Sequence, residues 1–212
     1  MKKTLLFLPL VALALTACTN DPTLNRKYNK AAALYSAQQY SKAIPLLQKS
    51  AAAGNPRAQL LLAKCYDFGQ GVPQNMKTAV KWYTASANAG NANAQNNLGL
   101  CYLDGAGVPV NEERAYRLFQ QAAAQNDAPA LNNLALCYLN AQGTAEDKEL
   151  AAQNFRRAAA LGNADGQYNL GRCYYHGSGV PQDLDAARTW ISKAAAQGHQ
   201  NAREFMQENS WN

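Results

Sequence analysis

The sequence predicts an all-α fold, a solenoid of stacked helical hairpins, from three observations. Many residues recur with a fixed period of 36 along most of the 212-residue chain. Apolar residues make up 48% of the chain, and the 41 alanines supply about two fifths of them, which favours helices packed through small side chains over one wide core. Glycine, asparagine and aspartate stand at regular positions where helices end and begin.

The N-terminal segment 1–17 has the composition of a secretory signal peptide. Lys2 and Lys3 precede an apolar run, 5–14, that is too short to span a bilayer. Residues 15–18 read Leu-Thr-Ala-Cys and resemble the bacterial lipobox, which implies that Cys18 is acylated and anchors the mature chain in a membrane. An ordinary signal peptide followed by a chance cysteine is the alternative. We interpret 18–23 as a short tether.

The same segment indicates a location in the bacterial cell envelope. Thr19 follows the cysteine where an aspartate would, by resemblance to enterobacterial lipoproteins, favour retention in the inner membrane. We therefore expect an outer-membrane lipid anchor facing the periplasm. The net charge is +6, but the basic residues are scattered and form no stripe, so no nucleic-acid partner is expected.

The period is clearest at a cysteine-tyrosine pair that occurs four times. The pairs begin at Cys65, Cys101, Cys137 and Cys173, each 36 residues after the last. Alanine, glycine and leucine recur in the same register. Four full units follow: 56–91, 92–127, 128–163 and 164–199.

Each unit is predicted to contain two helices joined by a tight loop. In the first unit Ala58, Leu62 and Tyr66 stand at i, i+4 and i+8, which is one face of a first helix. That helix ends at a glycine in three units, at Gly69, Gly105 and Gly177. The second helix follows a preferred N-cap residue in all four, at Asn75, Asn111, Asp147 and Asp183. Each hairpin has one apolar face that its own two helices do not cover, so neighbouring units are expected to stack and bury it.

Three regions depart from this pattern. Residues 24–55 fit an ordinary tetratricopeptide hairpin without the glycine-rich loop. Residues 200–212 begin another first helix and then stop, which indicates a C-terminal capping helix that Trp211 helps to close. Unit 128–163 lacks the Gly-x-Gly-Val-Pro loop of the others. Its hairpin is expected to survive because Gly143 and Asp147 remain, but the shape of its loop stays open.

The repeat motif resembles that of a known family. Residues 94–109 follow the pattern Ala-x-x-x-Leu-Gly-x-x-Tyr-x-x-Gly-x-Gly-Val-Pro, which is similar to the Sel-1-like repeat, a subclass of tetratricopeptide-type α/α solenoids. The resemblance covers about 150 residues. It implies a right-handed α/α superhelix that serves as an adaptor for protein complexes, and it implies no single activity.

The four repeated cysteines are expected to be buried free thiols. Equivalent positions on neighbouring first helices lie about 8 to 10 Å apart, whereas a disulfide needs α-carbons within about 7 Å. Each unit also lacks the second cysteine found in the Helicobacter cysteine-rich proteins of the same repeat family. We therefore expect the thiols to behave as small hydrophobic side chains.

A partner is expected to bind along the concave side, which the first helices line in solenoids of this type. Ten residues stand at positions that the buried face does not use: Lys64, Asn96, Asn97, Asn132, Asn133, Tyr168, Asn169, Arg172, Tyr175 and His176. Two tyrosines, an arginine and a histidine in the last unit, Tyr168, Tyr175, Arg172 and His176, are predicted to form a hot spot. For Tyr168, Arg172 and Tyr175 a structural role is equally open, and the asparagines are expected to satisfy neighbouring backbone groups instead of a ligand.

No catalytic site, cofactor or metal is expected. Glu112, Glu113 and Asp185 stand at the starts of second helices, where capping and the helix dipole account for acidic residues. Cys173 and His176 are too few ligands for a metal site. We therefore expect a non-catalytic periplasmic lipoprotein adaptor that binds a protein, and no small-molecule substrate. The alternative is an immunity lipoprotein against a secreted toxin such as a type VI phospholipase effector, and host-protein binding at the cell surface is a third possibility.

Overall fold

The computed structural model describes residues 22–211, and every regular element in that range is an α-helix. The eleven helices are α1 (Pro22–Ser36), α2 (Tyr40–Ala52), α3 (Pro56–Phe68), α4 (Met76–Asn88), α5 (Ala92–Asp104), α6 (Glu112–Ala124), α7 (Ala128–Asn140), α8 (Lys148–Ala160), α9 (Ala164–His176), α10 (Leu184–Ala196) and α11 (Gln200–Glu208). The predicted all-α class is confirmed. The predicted signal peptide and the lipid-anchor residue Cys18 lie outside the described residues. The predicted tether, 18–23, runs into α1, which already begins at Pro22.

The chain forms two compact units. One unit ends at Ala89 and contains α1 to α4, and the other begins at Gly90 and contains α5 to α11. Within each unit consecutive helices pack against each other in sequence order. In residues 22–211 no helix is both long and apolar enough to cross a membrane.

The second helices begin where the N-cap residues predict. Asn75 accepts a hydrogen bond from the amide of Thr78 at 3.0 Å, and Asp147 accepts one from the amide of Leu150 at 2.8 Å. Asn111 and Asp183 cap α6 and α10 in the same way. These side chains satisfy amides that have no partner within the helix, and they fix its first residue.

The first helices end in the left-handed conformation, as the glycines predict. Gly69, Gly105 and Gly177 have φ angles of 68°, 70° and 67°. In unit 128–163, which lacks the usual loop sequence, Ala141 takes the place of this glycine and has φ 55°. The amide of Asp147 still bonds to the carbonyl of Tyr138 at 3.0 Å, as its counterparts do, so the loop keeps the shape of the others.

The second loop glycine has a role between repeats. A Cβ atom added to Gly143 would overlap the backbone of Glu112, and one added to Gly179 would overlap the backbone of Lys148. Both neighbours are the first residues of the preceding unit's second helix. The loop of one repeat therefore rests directly on the main chain of the repeat before it.

Small residues allow the two helices of a hairpin to come close. The ring of Phe119 lies where a Cβ of Gly99 would be, and the side chain of Ile191 lies where a Cβ of Gly171 would be. Phe119, Phe155 and Ile191 are fully or almost fully buried on second helices. Such positions form the core that the repeated alanine pattern predicts.

Candidate functional site

The structure places the predicted partner-binding residues in three different settings. Lys64 is half buried on α3, in the unit that ends at Ala89. The other nine lie on α5, α7 and α9 of the unit that begins at Gly90. Only some of these nine present side chains to an open surface.

Asparagines join neighbouring first helices through their side chains. The amide nitrogen of Asn133 donates to the Oδ1 of Asn96 at 2.8 Å, and that of Asn169 donates to the Oδ1 of Asn132 at 2.9 Å. Asn96 is 7% exposed and Asn132 is 6% exposed. These two do not line an open groove, which corrects the prediction. The asparagines also pair with each other and not with backbone groups, while Asn97 is half buried on α5.

Two predicted anchor residues hold the C-terminal helix. The ring of Tyr168 lies 4.7 Å from that of His199, and the hydroxyl of Tyr175 donates to the Oδ1 of Asn209 at 3.0 Å. The ring of Tyr175 also packs 5.0 Å from Phe205 and 5.8 Å from Trp211. The two tyrosines therefore belong to the packing of the cap, which corrects the predicted hot spot. The predicted capping helix itself is α11.

A pocket of about 250 Å³ opens between α7 and α9 beside this cap. Leu139, Phe155 and Cys173 form its apolar part. Polar residues complete the lining: Asn169, Arg172, His176 and Ser178. The structure thus brings three of the predicted residues to one cavity, since Asn169, Arg172 and His176 all lie on α9.

The open side of the pocket is cationic. Arg172 and His176 are exposed and stand four residues apart on α9, so they share one helix face. The guanidinium carbon of Arg172 lies 5.7 Å from the ring centre of Tyr168. Within residues 22–211 no carboxylate lies within 4 Å of this guanidinium.

The cysteine in the pocket is a neutral thiol. Burial raises the pKa of Cys173 to about 11, and the nearby charge of Arg172 lowers it by less. Burial also raises the pKa of Cys65 and Cys137 to about 11. Cys101 is buried as well, so the predicted burial of all four thiols is confirmed. At neutral pH Cys65, Cys137 and Cys173 therefore provide apolar surface and no thiolate nucleophile.

Two acidic side chains elsewhere in the described residues pair with basic groups. Glu113 forms an ion pair with Arg117 at 2.5 Å, and Asp165 lies 3.2 Å from the ring of His199. No group of three or more histidine, cysteine or acidic side chains in residues 22–211 is arranged to hold a metal ion.

Two parts of the pocket are not among the ten predicted partner-binding residues. Leu139 directly follows the repeat tyrosine, a register position that faces the first-helix side, but packing between adjacent helices explains a leucine there equally well. Phe155 stands on a second helix at the large core position of its repeat. Its ring reaches the pocket because of the spacing between helices, which no local pattern in the sequence encodes.

The tandem helical hairpins joined by glycine loops make this chain an α/α repeat protein. Comparison with known proteins identifies its family. A model of the Sel1 repeat matches residues 35–55, 56–91, 92–127, 128–163 and 164–199. A Sel1 repeat protein from Oxalobacter formigenes is 32% identical, with a TM-score of 0.79 over 85% of this chain and 74% of that one. The chain belongs to the Sel1 repeat family. Proteins of this family are in general non-catalytic scaffolds that bind other proteins.

Two further solved structures share the fold. A protective antigen of uropathogenic Escherichia coli with an SLR fold is 28% identical at a TM-score of 0.77, over 89% of this chain and 42% of that one. This chain therefore spans less than half of that antigen. An immunity protein from Pseudomonas aeruginosa is 24% identical at a TM-score of 0.59, over 86% of this chain and 69% of that one, which shows the fold alone. A search of curated proteins gave no match.

Proposed function

We propose that this chain is a periplasmic lipoprotein adaptor without catalytic activity, which binds a protein through the exposed first-helix side of α7 and α9. The pocket between these helices carries the proposal, because it combines an apolar floor with an exposed arginine that forms no ion pair with a carboxylate of residues 22–211. Apolar cavities beside an arginine are typical of the centres of protein interfaces. Membership of a family of protein-binding scaffolds supports the same role.

Photo-crosslinking tests which surface holds the partner. A photoreactive residue is placed at His176, beside the pocket, and in a second variant at Gln153, which is exposed on α8 and does not line the pocket. Irradiation in intact cells followed by affinity capture is expected to yield a defined adduct from the His176 variant only. Equal adducts from both variants, or none from His176, would contradict the proposal.

The lipid anchor at Cys18 is a separate part of the proposal, supported by the lipobox-like sequence 15–18. Cells grown with an alkyne fatty acid are expected to label the wild-type protein and not the Cys18→Ala variant. Fractionation of the envelope should place the labelled protein with the outer membrane. A protein without label, or one in the inner membrane, would refute the corresponding part.

A toxin inhibitor is the second candidate function, because an immunity protein from Pseudomonas aeruginosa has a similar fold. The phenotype of a gene deletion distinguishes the inhibitor from the adaptor. Death or growth arrest that disappears when a neighbouring effector gene is also deleted supports the inhibitor. An envelope defect that persists without the effector supports the adaptor.

A further inference from the structure

The pocket between α7 and α9 is small but large enough to admit a large apolar side chain. Its volume of about 250 Å³ lies below the range of roughly 300–1,000 Å³ that is usual for small-molecule sites. Phe155 and Cys173, which form the floor, are 1% and 5% exposed. A leucyl, methionyl or phenyl group of a partner fits within this space and would cover the apolar floor.

The charge at the open side selects among partners that carry such a group. Arg172 and His176 are exposed at the rim, and no carboxylate in residues 22–211 lies within 4 Å of the arginine. The ring of Tyr168, held by the cap, lies 5.7 Å from the guanidinium. This contact restricts the arginine before a ligand arrives and lowers the entropy cost of binding.

The pocket also offers a hydrogen-bond acceptor for the main chain of a bound segment. Asn169 uses its amide nitrogen to bond to Asn132 at 2.9 Å. Its Oδ1 atom accepts no hydrogen bond within the described residues, and the side chain is half buried in the lining of the pocket. This oxygen is in position to accept the backbone N–H of a bound segment.

We propose that the pocket binds an acidic segment of a partner protein, with one large apolar side chain inserted over Phe155 and an adjacent carboxylate paired with Arg172. A guanidinium matches a carboxylate in geometry as well as charge. This inference rests on the proposed protein-binding function and names the chemistry of the partner. A neutral or basic segment would leave Arg172 desolvated without a counter-charge, which is unfavourable.

Selection from a peptide library tests the inference. Random twelve-residue peptides displayed on phage are selected against the full-length protein. Enriched peptides are expected to carry aspartate or glutamate next to leucine, isoleucine, methionine or phenylalanine. Enrichment without acidic residues, or no enrichment above background, would overturn the inference.

Affinity measurements with one synthetic enriched peptide locate the contact. Fluorescence polarisation is expected to show binding weakened by about tenfold or more in Arg172→Glu, the loss typical of a hydrogen bond between charged groups. The control Arg156→Glu carries the same charge change on the exposed side of α8 and should leave affinity within about twofold. Leu139→Trp, which fills the pocket, should also abolish most binding.

The two proposals fail in different ways. Equal affinity for wild type and Arg172→Glu overturns the acidic-partner inference. If the crosslink at His176 still forms in cells, protein binding by this surface stands. If that crosslink is absent, the proposed function falls as well.

Discussion

Single glycines decide how closely one repeat approaches the next. Gly143 has φ 69° and its missing Cβ leaves room for the backbone of Glu112. Gly162 has a similar positive φ, 84°, but no atom lies within 4 Å of where its Cβ would be. The two positions therefore separate the cost of backbone strain from the cost of a contact between repeats.

Alanine substitution at these two glycines is expected to have unequal effects. Gly162→Ala should lower the free energy of unfolding by about 1–2 kcal/mol, the cost of a left-handed L-residue. Gly143→Ala should lower it by at least about 1 kcal/mol more, because the loop must also move away from the preceding helix. Urea denaturation of both variants measures the difference. Equal losses would show that the loop does not rest on its neighbour.

The buried thiols give the fold a dependence on alkaline pH. Burial raises the pKa of Cys65, Cys137 and Cys173 from 9.0 to about 11. The folded state therefore holds its protons more tightly than the unfolded state. This stabilisation is complete below pH 9 and is lost as the pH rises towards 11.

Urea midpoints measured between about pH 8 and pH 10.5 test this linkage. The free energy of unfolding is expected to fall over that range in the wild type. The fall should be smaller in Cys137→Ala, which lacks one of the three thiols, even though that variant is less stable at pH 8. A parallel pH profile for the two proteins would argue against the thiols as its source.

At the scale of the helix, α11 depends on an unusual N-cap. His199 accepts a hydrogen bond from the amide of Ala202 through Nδ1 at 3.1 Å. The four preceding first helices use asparagine or aspartate at the same place, at Asn55, Asn91, Asp127 and Asn163. The histidine adds contacts of its own, with Asp165 at 3.2 Å and with the ring of Tyr168.

Substitution of His199 is expected to loosen α11 without unfolding the rest. His199→Ala should cost about 1 kcal/mol through loss of the cap, and should speed amide exchange in α11. His199→Asn restores the capping oxygen and should recover most of that stability. Hydrogen exchange read by mass spectrometry makes the measurement. Unchanged exchange in the alanine variant would mean that side-chain packing alone holds the helix.

The ends of the helices could be predicted well from sequence because each depends on one or two adjacent residues. Asn75 and Gly69 act through hydrogen bonds and φ angles that are local to them. The end of α7 is harder to predict, because Ala141 stands where the other first helices have glycine. It still adopts the left-handed conformation, with φ 55°. Local chemistry therefore fixes the hairpins, even where one expected residue is missing.

The candidate site could be predicted only in part. The register predicts Asn169, Arg172 and His176 on one side of α9, and the structure places all three in the lining of one pocket. The register gave Tyr168 and Tyr175 the same face, but could not show that α11 folds back over them. The repeat pattern predicts a capping helix over residues 200–212, but it does not say which side chains of the last repeat that helix contacts.

For the molecule as a whole, α11 covers apolar surface at the end of the repeats. Ile191, Ala194 and Ala202 are fully buried together, with Tyr168 and Trp211 packed against them. Without the cap, the last hairpin would present this surface to water. Terminal repeats generally need a polar outer face to remain soluble.

Deletion of residues 200–212 is therefore expected to lower the melting temperature by several degrees and to cause self-association. Light scattering and thermal denaturation of the truncated and full-length proteins make the comparison. Replacement of Trp211 by alanine is a milder variant that should lower the melting temperature without association. A monomeric truncated protein with unchanged melting would show that the cap is dispensable.

The asparagine pairs have a consequence for the length of the array. Asn96 and Asn132 each offer the same oxygen to the next first helix, and Asn133 and Asn169 each offer the same nitrogen to the one before. Removal of residues 128–163 would bring Asn169 to Asn96 and leave no donor or acceptor of the ladder orphaned. Whole repeats are in this sense interchangeable parts, so a gene of this kind can gain or lose 36 codons at a time without a new interface having to evolve.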